Sequence, residues 1–146
     1  MNREPFKTFT GLIAKINRNI RRIKTEVMAE YDLKCPHVSV LYYLYVDGPL
    51  TAKELCTVCE EDKAAISRTV ESLIVHGFLE NESKTKKYKC PLRLTESGKN
   101  VGKKVAEKLD QIIASASEGL TDELRANLYD GLGIILTNIE KITIPT

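Results

Sequence analysis

Two apolar stripes, one near each end of this 146-residue chain, constrain its fold most strongly. Near the N-terminus, apolar residues recur alternately every three and four positions, which is the seam of a coiled coil held for about three heptads. These residues are Phe6, Phe9, Ile13, Ile16, Ile20, Ile23 and Val27. The stripe near the C-terminus comprises Leu124, Leu128, Leu132, Ile135, Ile139 and Ile142. Because two such helices would expose wide apolar surfaces in a monomer, the pattern predicts a homodimer with interlocked terminal helices. The alternative is that each stripe packs only on the core of its own chain.

The composition indicates a globular chain, since 42% of its residues are hydrophobic and 29% are charged. No apolar run approaches the roughly 20 residues that a membrane span requires, and the N-terminus lacks the apolar stretch of a secretory signal. We therefore expect a cytoplasmic protein without a membrane partner. The net charge of +2 does not by itself point to a nucleic-acid partner, so the distribution of charge matters more.

The middle of the chain predicts a helix-turn-helix. Cys35-Pro36 opens a helix that the turn signal Asp47-Gly48-Pro49 ends. Thr51 caps a short helix, and after an acidic turn the apolar residues of segment 63–76 recur at helical spacing. Gly77 suits the position just beyond the end of that second helix. Two short helices joined by a turn of a few residues form the helix-turn-helix pattern.

A basic wing is predicted directly after this pair of helices. Phe78 and Leu79 begin a strand, and the alternating residues of segment 90–95 indicate a returning strand. Phosphates would offset the mutual repulsion of the lysines between the two strands and would release counterions. We predict that the wing contacts the DNA backbone and adds affinity more than specificity, whereas the alternative is a solvated loop. The lysines are Lys84, Lys86, Lys87 and Lys89.

The polar face of segment 63–76 is a candidate recognition surface, because such helices touch base edges with their N-terminal halves. Ala64 permits close approach, Ser67 can donate to a phosphate or a base, and Arg68 can bind guanine with two hydrogen bonds. Taken alone, this helix would be interpreted as a solvated face with an ordinary arginine. Together with the basic wing it predicts double-stranded DNA as the partner. A winged helix that contacts protein is the alternative.

The four cysteines are not interpreted as a disulfide framework, because a cytoplasmic protein keeps them reduced. Cys56 and Cys59 could be imagined as a zinc knuckle, but no second knuckle exists, and both fit as small core residues. Cys35 precedes a helix N-terminus, where a thiolate is stabilised, so an oxidant-sensing thiol is an alternative function. No nucleophile motif, phosphate loop or metal-binding histidine pair is visible, and we expect neither an enzyme nor a cofactor. The other residues that could be imagined in such a zinc site are Cys35, Cys90, His37 and His76.

Residues 33–98 resemble the multiple antibiotic resistance regulator (MarR) family. The matching pieces are VSVLYYL, DGPLTAKEL, DKAAISRTVESLIVHGFLE and LRLTESG. The resemblance implies a mainly α, winged helix-turn-helix fold (α+β in its winged part). It implies a DNA-binding domain over residues 33–98 and a helical dimerisation region over residues 1–32 and 99–146.

The same resemblance implies a homodimer on pseudo-palindromic operators, most simply a repressor that a small effector or a stress signal releases. By match of motif, the DNA contacts on the recognition helix are Lys63, Ala64, Ser67, Arg68 and Thr69. Tyr31, His37 and Tyr42 are candidate effector-pocket residues from their position near the interdomain junction. The wing of the family usually carries Asp-x-Arg, with the arginine in the minor groove. Lys86-Lys87-Tyr88 stands there in this chain, so minor-groove reading is not expected of this wing.

Overall fold

The computed structural model describes residues 4–81 and 90–145, and these are mainly helical with one small sheet. A short 3₁₀ turn, Ala29–Tyr31, joins the first helix to the second. None of the described helices is both long and apolar enough to cross a membrane. The elements are α1 (Pro5–Val27), α2 (Cys35–Asp47), α3 (Ala52–Cys59), α4 (Lys63–Val75), β1 (Leu79–Asn81), β2 (Leu92–Leu94), α5 (Glu96–Ala116) and α6 (Asp122–Glu140).

Local signals in the sequence account for several helix ends. The Thr51 hydroxyl accepts the Glu54 N–H at 3.1 Å, and the Glu54 carboxylate accepts the Thr51 N–H at 3.3 Å. This reciprocal capping box begins α3. The Thr121 hydroxyl accepts the Leu124 N–H at 3.1 Å and begins α6 in the same way. Gly48 follows α2 with a φ of 83°, a conformation that residues with a side chain rarely adopt. The helix start predicted at Thr51 is therefore confirmed.

The chain divides into two compact units, Met1–Leu109 and Asp110–Thr146. The core of the first unit surrounds α2, which packs against α1, α3, α4 and β2. Apolar side chains from all of these elements except α1 are almost completely buried in it. They are Val38, Val40, Leu41, Leu44, Leu55, Ile66, Leu73 and Leu92. This core holds α3 and α4 in a fixed relation to each other.

The sheet is a short antiparallel ribbon in which Leu79 lies opposite Leu94 and Asn81 lies opposite Leu92. The Leu92 N–H also donates to the carbonyl of Leu50 at 2.8 Å, so β2 is paired on both sides. Residues 82–89, which connect the two strands, lie outside the described residues. The ribbon fixes the points from which this connection leaves and to which it returns.

The second unit consists of the last residues of α5 together with α6. No residue of α6 is buried. The six apolar residues of its predicted stripe are between 36% and 66% exposed. In the first unit, α1 likewise buries none of its own residues. All residues of the two predicted stripes except Ile142 therefore lie on helices, and both stripes remain largely exposed in a single chain.

Candidate nucleic-acid interface

Helix α4 begins at a defined point because the Asp62 side chain caps it. The Asp62 carboxylate accepts the Ala65 N–H at 2.7 Å, which satisfies one of the free donors of the first turn. The preceding helix ends at Glu60, which has a left-handed φ of 52°. Only Glu60, Glu61 and Asp62 separate α3 from α4. The predicted helix-turn-helix is therefore present, with a three-residue turn.

One face of α4 is fixed in the core. Ile66 and Leu73 are buried, and α4 packs against both α2 and α3. Thr69 belongs to this inner face and is only 5% exposed. The motif match had placed Thr69 among the DNA contacts. Since Thr69 follows Ile66 by three residues, its side chain points to the same side of the helix, and we correct that assignment.

The other face of α4 is exposed and begins in its first turn. Ala64, Ser67 and Arg68 are exposed there together with Lys63 and Glu71. The Arg68 guanidinium makes no hydrogen bond or ion pair with any side chain in residues 4–81 and 90–145. Four of the five predicted recognition residues therefore share one solvent-facing surface on a rigid helix.

A groove borders this surface on the side of the ribbon. Asn81, at the end of β1, lines it and is not among the predicted recognition residues. Only the pairing of the strands brings Asn81 towards α4, so no local pattern could have shown it. The groove is lined by Ala52, Cys56, Lys63, Ser67, Val70, Glu71, Ile74, Asn81 and Leu92.

The end of α4 is joined to the ribbon by backbone hydrogen bonds. The Phe78 N–H donates to the Leu73 carbonyl at 2.9 Å, and the Gly77 N–H donates to the Ile74 carbonyl at 3.0 Å. This pair of bonds is a Schellman motif, and Gly77 adopts the positive φ of 79° that it requires. The strand therefore leaves α4 in a fixed direction. The wing lysines Lys84, Lys86, Lys87 and Lys89 fall in residues 82–89, outside the described residues.

Each of the three candidate effector residues has a contact of its own in the structure. The Tyr31 hydroxyl accepts a hydrogen bond from the Lys104 ammonium at 3.3 Å, whereas the Tyr42 ring packs edge-on against Tyr43. His37 lies on α2 five residues before Tyr42, which separates the two side chains by about 140° around the helix. Their assignment to an effector pocket stays a prediction.

His37 instead connects α2 to α4. Its Nδ1 accepts the Lys34 N–H at 3.3 Å, so Nε2 carries the proton and donates to Ser72 Oγ at 3.0 Å. Burial lowers the pKa of His37 below its ordinary value, and the nearby His76 and Lys34 lower it further, against a smaller opposing effect of Asp32. The neutral imidazole is therefore the form that fits this position, and it holds α4 to α2.

The cysteines are all reduced. Cys35 is the first residue of α2 and is buried, whereas Cys56 and Cys59 pack partly buried against the core. Burial raises the pKa of the Cys59 thiol to about 11, which keeps it protonated at neutral pH. Among the described residues, no group of three or more histidine, cysteine or acidic side chains is placed to hold a metal ion.

Comparison with known proteins finds a family model that matches the middle of the chain. Residues 31–86 match the sequence model of the MarR family. The match covers 56 of the 146 residues, and over this stretch the chain is similar to MarR family proteins. The matched stretch runs from the 3₁₀ turn before α2 through β1 and therefore contains the whole helix-turn-helix. A search of curated protein sequences finds no match.

Solved structures of MarR family proteins share the fold along nearly the whole chain. A MarR family regulator from Neisseria meningitidis is 24% identical, with a TM-score of 0.74 over 92% of this chain and 94% of its own. A MarR family transcriptional regulator from Silicibacter pomeroyi is 22% identical, with a TM-score of 0.79 over 93% of both chains. MepR of S. aureus, solved in complex with DNA, is 15% identical, with a TM-score of 0.79 over 93% of this chain and 99% of its own. The predicted winged helix-turn-helix fold is confirmed.

The His37 contact predicts a pH dependence for the stability of this protein. The pKa of His37 lies below 6.5, its ordinary value, in the folded state. Between the folded pKa and 6.5, the unfolded chain therefore binds more protons than the folded chain does. The contribution of neutral His37 to the free energy of unfolding is complete above pH 6.5, and it is lost as the pH falls through the pKa of His37 in the folded protein. Urea unfolding at a series of pH values should show a steeper loss of stability on acidification for the wild type than for His37→Gln. Equal slopes for the two proteins would contradict this assignment.

Proposed function

We propose that this protein is a member of the MarR family and acts as a homodimeric, sequence-specific DNA-binding transcriptional regulator. The observation that carries the proposal is the exposed N-terminal half of α4, which presents Ser67 and Arg68 to solvent while its other face is fixed in the core. MepR, which has the same fold, was solved in complex with DNA. A rigid helix with one free polar face is the element that such proteins place in the major groove. The protein would act in the cytoplasm, where it meets chromosomal DNA.

The chemistry of the exposed face fits the edges of base pairs. The Arg68 guanidinium can donate two parallel hydrogen bonds to O6 and N7 of guanine. The Ser67 hydroxyl, one position earlier, can donate to a phosphate or a base, and the small Ala64 lets the helix approach the groove floor. Lys63, in the first turn, is placed to reach a phosphate. We assign specificity to Arg68 and positioning to the other three residues.

The wing lysines complete the proposed interface. The ribbon begins directly after α4, and the lysines lie in the sequence between its two strands. We expect Lys84, Lys86, Lys87 and Lys89 to contact phosphates and to add affinity for every sequence alike. The protein would thus combine specific contacts from α4 with sequence-independent contacts from the wing.

Titration of a DNA duplex with the protein at increasing salt concentrations tests this interface. Each phosphate that the protein neutralises adds about 0.9 to the slope of the logarithm of affinity against the logarithm of salt concentration. We expect binding at low salt and a lower slope for the Lys86→Ala, Lys87→Ala double variant. If no duplex binds at low salt, the exposed α4 face is a contact for protein and the proposed DNA-binding function is wrong.

A second copy of the chain is the proposed cover for the apolar stripes of α1 and α6. Each stripe is regular over several turns, and each is exposed along most of its length. At about 25 cal/mol per Å² of apolar surface, leaving both stripes in water would forgo a large stabilisation. A symmetric pair of chains would cover them and would place two copies of α4 in position for two half-sites. Repression relieved by a small effector would then act on the spacing of these two helices.

A charge placed on the α6 stripe tests the dimer. We expect Ile135→Asp to shift the protein to monomers in sedimentation experiments, because the carboxylate would have to be buried between two chains. Affinity for a two-half-site duplex should fall as well, since a monomer holds only one recognition helix. Thr137→Asp, which adds the same charge two residues further along α6, is the matched control and should remain dimeric. A dimeric Ile135→Asp protein would show that this stripe is not the interface.

A further inference from the structure

Helix α4 carries one acidic residue, and it lies in the middle of the exposed face of the helix. This residue, Glu71, is exposed and follows Ser67 by four residues and Arg68 by three. At about 100° per residue, its side chain lies about 40° from Ser67 and about 60° from Arg68 around the helix. Glu71 therefore points into the arc that these two residues span, which is the side that α4 would turn to a duplex.

The Glu71 carboxylate makes no hydrogen bond or ion pair with any residue of segments 4–81 and 90–145. Opposite charges three residues apart on a helix are close enough to pair, yet Arg68 and Glu71 do not pair with each other. Glu71 does not cap the helix either, since Asp62 does so. The carboxylate is therefore available to a group outside the described parts of the chain.

The chemistry of a carboxylate limits which base it can contact. An ionised carboxylate accepts hydrogen bonds and donates none. In the major groove, cytosine N4 and adenine N6 are the amino donors, whereas the edges of guanine and thymine present acceptors without a donor. Adenine also places its N7 acceptor beside N6, and cytosine has no such acceptor. Cytosine is therefore the base whose edge fits Glu71 best.

The step from Arg68 to Glu71 matches the spacing of bases in a duplex. Three residues advance about 4.5 Å along a helix, and neighbouring bases on one strand are about 3.4 Å apart along the duplex axis. Glu71 would thus reach an edge about one or two base pairs from the guanine assigned to Arg68. A helix that enters the groove by its N-terminal end lies further from the base edges in its third turn, and the long glutamate side chain suits that distance.

We propose that Glu71 is a specificity-determining residue that accepts a hydrogen bond from cytosine N4, about one or two base pairs from the guanine that Arg68 contacts. Repulsion between the carboxylate and the acceptors of guanine and thymine excludes those two bases at the same position. Arg68 and Glu71 together define two positions of each half-site. This assignment rests on the proposed DNA-binding function.

Selection of bound duplexes from one random DNA pool by the wild type and its variants tests the assignment. The wild type should enrich cytosine at this distance from the guanine whose preference is lost in Arg68→Ala. Glu71→Gln should enrich adenine there instead, because a glutamine amide accepts from N6 and donates to N7. Glu71→Ala should enrich no base at that position.

Fluorescence anisotropy with the selected duplex measures the size of the effect. Replacing the selected cytosine should weaken binding by the wild type about fivefold or more, which is the lower end of the cost of one mismatched base pair. The same replacement should leave the affinity of Glu71→Ala unchanged, because that variant has no group to contact the base.

Glu60→Gln is the matched control. It removes the same charge from an exposed position in the turn that precedes α4. We expect it to keep the base preferences of the wild type at every position. Any gain in affinity from the lost repulsion of phosphates should be the same for all sequences. Thermal unfolding checks that the variants at these exposed positions remain folded.

Two results would overturn the assignment and leave the proposed function intact. An equal gain in affinity for every sequence in both Glu71 variants would make the carboxylate only a repulsive charge. An unchanged base preference in both variants would make Glu71 a solvated side chain without a contact to a base. If instead the wild type binds no duplex at low salt, the proposed function itself is wrong and this assignment fails with it.

Discussion

Arg68→Ala is expected to weaken binding to the specific duplex by about 5- to 150-fold, or ~1–3 kcal/mol. Arg68 is exposed on the outer face of α4 and has no side-chain partner in the described parts of the chain, so its removal should leave the fold unchanged. The loss should be confined to sequences with guanine at the contacted position, because the arginine reads that base with two hydrogen bonds. Fluorescence anisotropy with matched and substituted duplexes measures both quantities.

Arg18→Ala is the control for the Arg68 experiment. It removes the same side chain and the same charge from an exposed position on a different helix, α1. We expect it to bind the specific duplex nearly as well as the wild type does. An unchanged affinity in Arg68→Ala would refute its assignment as a base contact, and an equal loss for all sequences would make Arg68 a phosphate contact instead.

Gly98→Ala is expected to destabilise the fold by about 3 kcal/mol, at the upper end of the typical cost of overpacking. A Cβ atom at this position would lie 2.0 Å from the carbonyl oxygen of Phe78, which is backbone and cannot rotate away. The same oxygen accepts the Thr95 N–H at 3.1 Å, and Thr95 Oγ1 donates to the Gly77 carbonyl at 2.6 Å. Opening the contact at Gly98 would therefore disturb the junction of α4, the ribbon and α5.

Urea unfolding of Gly98→Ala and of the control Gly11→Ala measures this effect. Gly11 lies within α1, where an added Cβ would meet nothing within 4 Å. Alanine is favoured over glycine inside a helix by roughly 0.5–1 kcal/mol, so the control should be as stable as the wild type or slightly more stable. A Gly98→Ala protein with wild-type stability would show that the close approach of α5 to Phe78 does not constrain the fold.

Elements with local signals were predictable from the sequence. The caps at Thr51 and Thr121, the end of α4 at Gly77 and the turn between α3 and α4 each depend on a few neighbouring residues, and the structure has all of them. Thr69 was wrongly assigned to the DNA contacts because a motif match indicates which residue is present but not which way its side chain points. Its spacing from Ile66 and Leu73, three and four residues, was a local signal that could have placed it on the buried face.

Contacts between residues far apart in the sequence were not predictable in this way. His37 bonds Ser72, and Arg21 pairs with Glu61, only because α2 packs against both α1 and α4. Asn81 reaches the groove beside α4 only through strand pairing. A single sequence shows the spacing of apolar residues along each helix, but it does not show which faces of two helices pack together. These contacts could therefore be found only from the structure.

Selection of bound duplexes from a random DNA pool tests the central claim most directly. The proposed dimer should enrich an inverted repeat whose two half-sites are centred about 10 base pairs, one helical turn, apart. Guanine should recur at the half-site position that Arg68→Ala no longer distinguishes. Enrichment of a single unrepeated half-site would contradict the dimeric arrangement, and the absence of any enriched sequence would contradict sequence-specific recognition by α4.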